Sequence, residues 1–160
     1  MTKKARMSKE DRGQAGTAAP AADASADAVS RGSLRLGWTM IGVFLALGLV
    51  LESFHLVKLP FYLDLRLRRE LWTQAHAHGT LLGAVNVLLG LSAARLVPDL
   101  GRRRQAARLL GAGSLLVPAG FLLGGLFPAE GDPSLFIGLV PAGALLALLA
   151  VGIVIASGRS

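Results

Sequence analysis

The chain has 160 residues, of which 52% are hydrophobic and only 17% are charged, and its formal net charge is +7. This share of hydrophobic residues lies outside the range of ordinary soluble domains and is typical of a membrane protein. Because the sequence contains no cysteine, disulfides, thiolate metal sites, cysteine nucleophiles and covalently attached c-type haem are all excluded.

The first segment, residues 1–34, contains the run "GQAGTAAPAADASADAVS", which has almost no large apolar side chains. Such a segment cannot bury enough apolar surface to offset the entropy of ordering, so we expect a disordered tail. A cleaved signal peptide is not expected, because the hydrophobic stretch starts only near Leu36 and is longer than the apolar region of a signal peptide.

Residues 35–158 are predicted to form one transmembrane domain. Four stretches with few or no charges are each as long as the helix of about 20 residues that crosses a bilayer. They cover about 36–57, 71–95, 107–127 and 134–157. Lipid offers no hydrogen-bond partner to the backbone, and a chain this short has too little polar surface to cover four helices that are apolar all round. We therefore predict an all-α membrane protein, a four-transmembrane-helix antiparallel bundle that spans the lipid bilayer.

The positions of Lys and Arg predict the orientation of these four spans. Seven lie before the first span, five in the second loop or at the span ends that flank it, and one after the last span, whereas the first loop has four and the third has none. By the positive-inside rule, both termini and the second loop are cytoplasmic in an inner (plasma) membrane. The first loop has more cations than an outer loop should have. The basic residues flank the spans and form no single soluble face, so nucleic acid is not an expected partner.

Small residues on the predicted spans favour close helix packing. On the second span, Gly79, Gly83 and Gly90 share one stripe with Asn86, and glycines four residues apart let a neighbouring helix approach closely. Further pairs of small residues are Gly120 with Gly124, Gly138 with Ala142, and Gly143 with Ala147. We expect a compact bundle.

The pentapeptide "LVPAG" occurs twice, at 116–120 and at 139–143. It places Pro118 and Pro141 in the third and fourth spans, where each ring should remove a hydrogen bond and bend the helix. Chance similarity within Leu/Ala/Gly-rich sequence explains the repeat more simply than duplication does.

Four ionisable residues lie within the spans near the first loop: Glu52 and His55 on the first span, and His76 and His78 on the second. An antiparallel hairpin would bring them to a similar depth, and Glu52 and His55, three residues apart, share a face. Ionisable groups inside a span are costly and usually functional, so all four are candidate ligands. The alternative for Glu52 and His55 is an internal pair that only fixes helix packing.

Two ligand classes suit this set of residues. Haem b needs only two imidazoles on facing helices, His55 with His76 or His78. A mononuclear Zn, Fe or Cu ion could use two histidines and Glu52. Because residues two apart on a helix point about 160° away from each other, one ion held by both His76 and His78 would require helix distortion. A di-iron carboxylate site needs two Glu-x-x-His motifs, and the chain has one.

The first loop, "LDLRLRRE", places Arg66, Arg68 and Arg69 on the same side of the membrane as the histidines. Guanidinium groups bind carboxylates such as haem propionates in bidentate pairs, so these three are candidate cofactor-binding residues. The alternative is that they are interfacial anchors whose side chains extend to lipid headgroups.

The stretch "WTQAHAHGTLLGAVNVLLGL" resembles the His-bearing second helix of haem-copper oxidase subunit I and of NnrS-like membrane proteins, over 20 of the 160 residues. In those families a His-x-His or His-Gly element opens a helix and a Leu-Gly step follows it. The resemblance implies that His76 or His78 is a haem or metal ligand. It does not extend to a binuclear copper–haem centre, because residues 109–157 contain no histidine.

The sequence thus predicts a small membrane protein that binds haem b or a transition-metal ion between the first two spans near the outer face. Electron transfer, sensing or handling of the ligand would be its function. An autonomous enzyme is not expected, since neither a nucleophile–base pair nor a phosphate-binding glycine loop is present. The alternative is a cofactor-free protein, either a structural or accessory subunit or a proton-linked channel or transporter component with a Glu/His/Asn86 relay. A homo-oligomer or a larger membrane complex is compatible with both.

Overall fold

The computed structural model describes the backbone of residues 9–128 and 131–158, and the side chains from residue 24 onward. Its α-helices are α1 (Lys9–Leu56), α2 (Pro60–Leu63), α3 (Arg66–Leu96), α4 (Leu100–Leu126) and α5 (Leu139–Ser157). A 3-10 helix, Leu135–Gly138, leads directly into α5. These described residues contain no β-strand, and the prediction of an all-α fold is confirmed.

Four segments are long and apolar enough to cross a membrane: Ala24–Leu56, Arg66–Leu96, Leu100–Leu126 and Leu135–Ser157. Each contains most or all of one predicted span. Two helices begin earlier than hydrophobicity alone indicated, α3 at Arg66 and α4 at Leu100. The early start of α4 has a local cause, because the Asp99 side chain accepts a hydrogen bond from the Arg102 backbone N–H at 2.8 Å and so caps the helix.

The helix α1 extends much further toward the N-terminus than predicted. From residue 9 onward it includes the segment 1–34 for which a disordered tail is expected, while residues 1–8 lie outside the described part of the chain. Alanine, abundant here, has the highest helix propensity, and Asp27 and Arg31 form an i,i+4 ion pair at 3.6 Å. The described end of this extension also packs on α3, where Gly90 lies against Leu34 and the Ser30 carbonyl. This tertiary support is not visible in composition.

Neighbouring helices pack closely through glycine. A Cβ atom on Gly37 of α1 would lie 2.6 Å from the carbonyl oxygen of Gly83 on α3, and one on Gly113 of α4 would lie 2.5 Å from that of Gly143 on α5. The predicted stripe of α3, with its three glycines and Asn86, is buried as expected. By contrast, Gly138 faces open space, so the expected packing pair with Ala142 is not formed in this structure.

The helices are arranged as two pairs, α1 with α3 and α4 with α5, and α3 and α4 join them. At the joint, the Asn86 side-chain amide donates to the Ser114 hydroxyl at 2.7 Å, and both side chains are fully buried. Among the described residues α1 and α5 make no contact with each other. The arrangement is therefore centred on α3 and α4, with α1 and α5 outside.

The two prolines differ in position. Pro118 lies inside α4, as predicted, and its side chain is buried. Pro141 is the third residue of α5, so its missing N–H falls in the first turn, where backbone N–H groups have no α-helical partner. The expectation that Pro141 interrupts and bends a helix is therefore wrong, because the preceding residues form a separate 3-10 helix.

Large apolar side chains cover the outside of this structure, and small or polar residues fill much of the inside. Leu49 is 71% exposed, and Leu88 and Leu148 are exposed to a similar degree. The interior contains Asn86, Ser114 and many glycines together with apolar residues such as Leu89 and Leu110. So much exposed apolar surface is not typical of a water-soluble protein.

Candidate functional site

An open groove of about 330 Å³ lies between α1 and α3, at the end that adjoins α2. We call it the histidine groove. It is lined by Leu45, Gly48, Leu49, Leu51, Glu52, His55, Tyr62, Thr73 and His76. The structure thus brings together three of the four predicted ligands, Glu52, His55 and His76.

The ring of His76 is held by the opposite helix. Its Nδ1 lies 2.6 Å from the carbonyl oxygen of Phe44 on α1. Because a carbonyl oxygen can only accept, Nδ1 is the donor, and in the neutral imidazole Nε2 is then the nitrogen with the lone pair. The ring fits only because residue 48 is glycine, since a Cβ atom there would lie 2.4 Å from its Cε1 atom.

The chain turn after α1 and the short helix α2 position His55. Lys58 adopts a left-handed conformation with a φ of 51°, and the Leu59 N–H donates to the Phe54 carbonyl at 3.0 Å, which closes the C-terminus of α1. The chain then returns over the helix, so that the ring of Tyr62 meets the edge of the His55 ring at a centroid distance of 5.0 Å. The His55 Nδ1 lies 3.2 Å from the Leu51 carbonyl, which again leaves Nε2 as the free nitrogen.

Tyr62 is a member of the groove that the sequence analysis missed. It is fully buried, and its ring stacks on Trp72 at a centroid distance of 6.0 Å. The available signal was the sequence "KLPFYL", in which Pro60 can start a helix and aromatic residues follow it. That signal predicts a helical turn, but it does not predict which ring faces His55.

Glu52 lies one turn before His55 and lines the same groove, as the spacing predicted. Its side chain is exposed, and no hydrogen bond or ion pair joins it to the described residues. The carboxylate is therefore available to a ligand in the groove. The proposed packing pair between Glu52 and His55 is not formed.

His78 lies outside the histidine groove. Its ring faces Phe121 of α4 at a centroid distance of 5.1 Å, and its Nδ1 is 3.0 Å from the Gln74 carbonyl. His76 and His78 therefore point away from each other, as their spacing predicted, and His76 faces α1 whereas His78 faces α4. His78 cannot join the other three around one ion, because it lies on the far side of α3.

The described residues include no group of three or more His, Asp or Glu side chains already gathered as metal ligands. Binding of one ion by Glu52, His55 and His76 would therefore need side-chain rotation, for which the exposed Glu52 and His55 are free. A porphyrin does not fit between α1 and α3 at this level, because Gly48 and the His76 ring are in contact. A haem would have to lie across the open side of the groove.

The three arginines of the first loop have other partners. The Arg68 Nε donates to the Gly125 carbonyl at 3.1 Å, and its guanidinium also bonds the Phe61 carbonyl and lies 3.8 Å from the centroid of the Phe61 ring. Arg69 donates to the Leu63 carbonyl, and Arg66 pairs with Glu70 at 2.7 Å. None of the three lines the histidine groove.

The contacts of Arg68 also explain why cations occur on the side predicted to face outward. Arg68 bonds the carbonyls of Gly125 and, at 3.5 Å, Leu126, which are two of the last residues of α4. A helix C-terminus has unpaired carbonyls and a partial negative charge, so a cation stabilises it. The role of Arg66, Arg68 and Arg69 as propionate partners stays a prediction.

Searches of protein-family models, curated proteins and solved structures find no match to this chain. The resemblance of the "HAHG" segment to the oxidase and NnrS-like helices therefore stays a prediction. The functional argument depends on the geometry of the histidine groove and on the surface of the helices.

Proposed function

We propose that this chain is a multi-pass integral membrane protein with α1, α3, α4 and α5 across the bilayer. The support is the apolar surface, which is most extensive on the last segment. In its most apolar window, Leu135–Ser157 has a mean hydropathy of 2.6 and only 11% of the residues buried. In water such a surface would drive aggregation, whereas in lipid it is the expected exterior.

The orientation follows from the charges. The α3–α4 turn and both termini face the cytoplasm across an inner membrane, by the positive-inside rule. The histidine groove then lies near the outer face. Phe61, Tyr62 and Trp72 lie around α2 at this end, which fits the aromatic residues that collect at a membrane interface.

The proposed function of the histidine groove is to bind a transition-metal ion through Glu52, His55 and His76, for sensing or handling of the metal. The observation that carries this proposal is the hydrogen bond from His76 Nδ1 to the Phe44 carbonyl. Histidines that bind metals usually donate their other ring N–H to a carbonyl or carboxylate, which fixes the ring and its tautomer. Two imidazoles and one carboxylate suit zinc, iron or copper.

Haem b is the second candidate ligand, because His55 and His76 both offer an unpaired Nε2 atom on one groove. It would lie on the lipid side of the groove and support electron transfer. The cofactor-free relay is less favoured. In that hypothesis Asn86 took part, but Asn86 lies at the α3–α4 joint against Ser114, away from the groove.

The test of the ligand is elemental analysis and a reduced-minus-oxidised visible spectrum of the purified protein in detergent. We expect about one transition-metal ion per chain in the wild-type protein. In His76→Ala and in His55→Ala we expect the affinity for the metal to be about 100-fold lower or weaker still. His78→Ala is the matched control, since it removes an imidazole from the same helix but outside the groove. Haem bands in the spectrum would favour the second candidate. Neither metal nor haem in the wild-type protein, or equal losses in all three variants, would contradict the proposal.

The orientation can be tested separately, because the chain has no cysteine and any introduced thiol is unique. Asp64→Cys lies in the turn beside α2, and Arg102→Cys lies near the start of α4. A membrane-impermeant thiol reagent should label Asp64→Cys in intact spheroplasts and Arg102→Cys only after lysis. The opposite pattern would reverse the proposed topology.

A further inference from the structure

A second groove lies near the middle of α1, between that helix and the first turns of α4. It has a volume of about 410 Å³, and we call it the arginine groove. It is lined by Ser25, Ala28, Val29, Gly32, Ser33, Leu36, Arg104, Ala107 and Arg108. Its floor is made of small residues, and at Gly32 a Cβ atom would meet nothing within 4 Å.

The arginine groove contains two cations that have no partner among the side chains the structure describes. Arg104 and Arg108 are four residues apart on α4 and therefore adjacent on its surface. No hydrogen bond or ion pair joins either guanidinium to the side chains or backbone that the structure describes. Other arginines nearby differ: Arg103 is buried and bonds the Val97 carbonyl at 2.9 Å, and Arg31 pairs with Asp27.

The lining of the arginine groove includes both polar and apolar side chains. Ser25 and Ser33 contribute hydroxyl groups, whereas Val29, Leu36 and Ala107 are apolar. The first predicted hydrophobic span begins at Leu36, so the groove lies where α1 would leave the hydrocarbon core. This is the side that the positive-inside rule assigns to the cytoplasm. A molecule with an anionic head and apolar chains complements this arrangement in both charge and polarity.

We propose that the arginine groove binds one anionic phospholipid, with its phosphate between Arg104 and Arg108 and its acyl chains against α1 and α4. Basic pockets between membrane helices on the cytoplasmic side are suited to anionic headgroups, and arginine binds phosphate oxygens in bidentate geometry. The inference rests on the membrane placement in the proposed function but not on the metal site. A bound lipid would connect α1 to α4, which otherwise have few mutual contacts beyond that of Leu36 with Gly111.

The test measures thermal unfolding of the full chain in neutral detergent with added phosphatidylglycerol. We expect phosphatidylglycerol to raise the Tm at concentrations where phosphatidylcholine and inorganic phosphate do not. In Arg104→Gln/Arg108→Gln the lipid concentration for half-maximal stabilisation should rise about 30-fold. The control Arg95→Gln/Arg102→Gln removes the same charge outside the groove and should keep the wild-type response.

A second variant blocks the groove without changing its charge. Gly32→Leu adds a side chain into open space on the floor of the groove, and Gly42→Leu adds the same side chain on α1 outside it. We expect loss of the phosphatidylglycerol response only in Gly32→Leu. Equal stabilisation by phosphatidylcholine or by inorganic phosphate, or an unchanged response in both Gly32→Leu and the Arg104/Arg108 variant, would overturn the inference. Metal content, which these variants should not alter, reports on the proposed function independently.

Discussion

The two helix pairs of this protein both pack through glycine against backbone, but they differ in the side chains along their contacts. In the α4–α5 pair, Gly113 meets the backbone of Gly143, and neither helix contains a histidine, an aspartate or a glutamate. In the α1–α3 pair, Gly37 meets the backbone of Gly83 in the same way, but Gly48 meets the imidazole of His76. Only this second pair contains histidine and glutamate along its contact.

This difference bears on the role of the ionisable residues. The α4–α5 pair packs closely through glycine and has no histidine, aspartate or glutamate, whereas His76 bonds the Phe44 carbonyl across the α1–α3 contact. Because ionisable groups are costly within a membrane span, their presence in this pair supports the ligand-binding role proposed above.

The largest effect is expected where glycine meets backbone. Gly113→Leu would place its Cβ atom 2.5 Å from the Gly143 carbonyl oxygen, so the helices would have to separate. We expect a loss of about 3 kcal/mol or more in the free energy of unfolding, measured by denaturation in detergent. Gly152→Leu is the control on α5, because its Cβ atom would meet nothing within 4 Å. Equal stability of the two variants would show that glycine contacts do not hold this pair.

The next effect concerns the connection between the two pairs. Arg68→Gln removes bonds from the start of α3 to the carbonyls that end α4, so we expect a loss of about 2 kcal/mol in stability. Arg66→Gln should cost less than about 0.5 kcal/mol, because its ion pair with Glu70 is exposed. Denaturation curves of both variants provide the measurement. If Arg66→Gln costs as much as Arg68→Gln, the arginines act through overall charge and not through the α4 terminus.

A smaller change in stability, with a larger change in ligand binding, is expected at Gly48. In Gly48→Ala the new Cβ atom would lie 2.4 Å from His76 Cε1, so the ring must move and lose its bond to Phe44. We expect metal affinity to fall about 10-fold, since loss of a partner that orients a ligand has effects of this size. Titration of the metal-free protein measures it, with Gly42→Ala as control. Unchanged affinity in Gly48→Ala would mean that the orientation of His76 does not matter for binding.

The smallest effect is expected at the polar contact between α3 and α4. A double-mutant cycle of Asn86→Ala and Ser114→Ala should give a coupling energy of about 0.6 kcal/mol, the usual size for hydrogen bonds between membrane helices. The buried Asn86 Oδ1 atom has no hydrogen-bond partner among the described residues, which limits what the contact can contribute. A coupling energy several times larger would make this joint, and not glycine packing, the main determinant of the arrangement.

Several features of this structure could be predicted from periodicity and hydrophobicity. The four apolar segments, the buried stripe of α3 and the opposite directions of His76 and His78 all follow from helix geometry. The grouping of Glu52, His55 and His76 follows from pairing the first two spans.

Other features depend on contacts between distant parts of the chain and could not be predicted. The N-terminal extension of α1 is supported by α3, and the partners of Arg68 lie at the end of α4. His78 lies near the other three residues in sequence position, but it faces Phe121 of α4, a contact that depth within the span does not predict. The place of Tyr62 beside His55 depends on a turn whose geometry the local sequence does not specify.

The exposure of large apolar side chains and the burial of glycines at the helix contacts determine which substitutions the chain can accept. Leu88, Leu148 and the other large exposed residues meet only lipid in the proposed membrane, so one apolar side chain can replace another there at little cost. Gly37 and Gly113 face backbone and cannot be enlarged without moving a helix. In related chains we therefore expect the leucines to vary freely and the small residues to persist, the opposite of the pattern that identifies the core of a soluble protein.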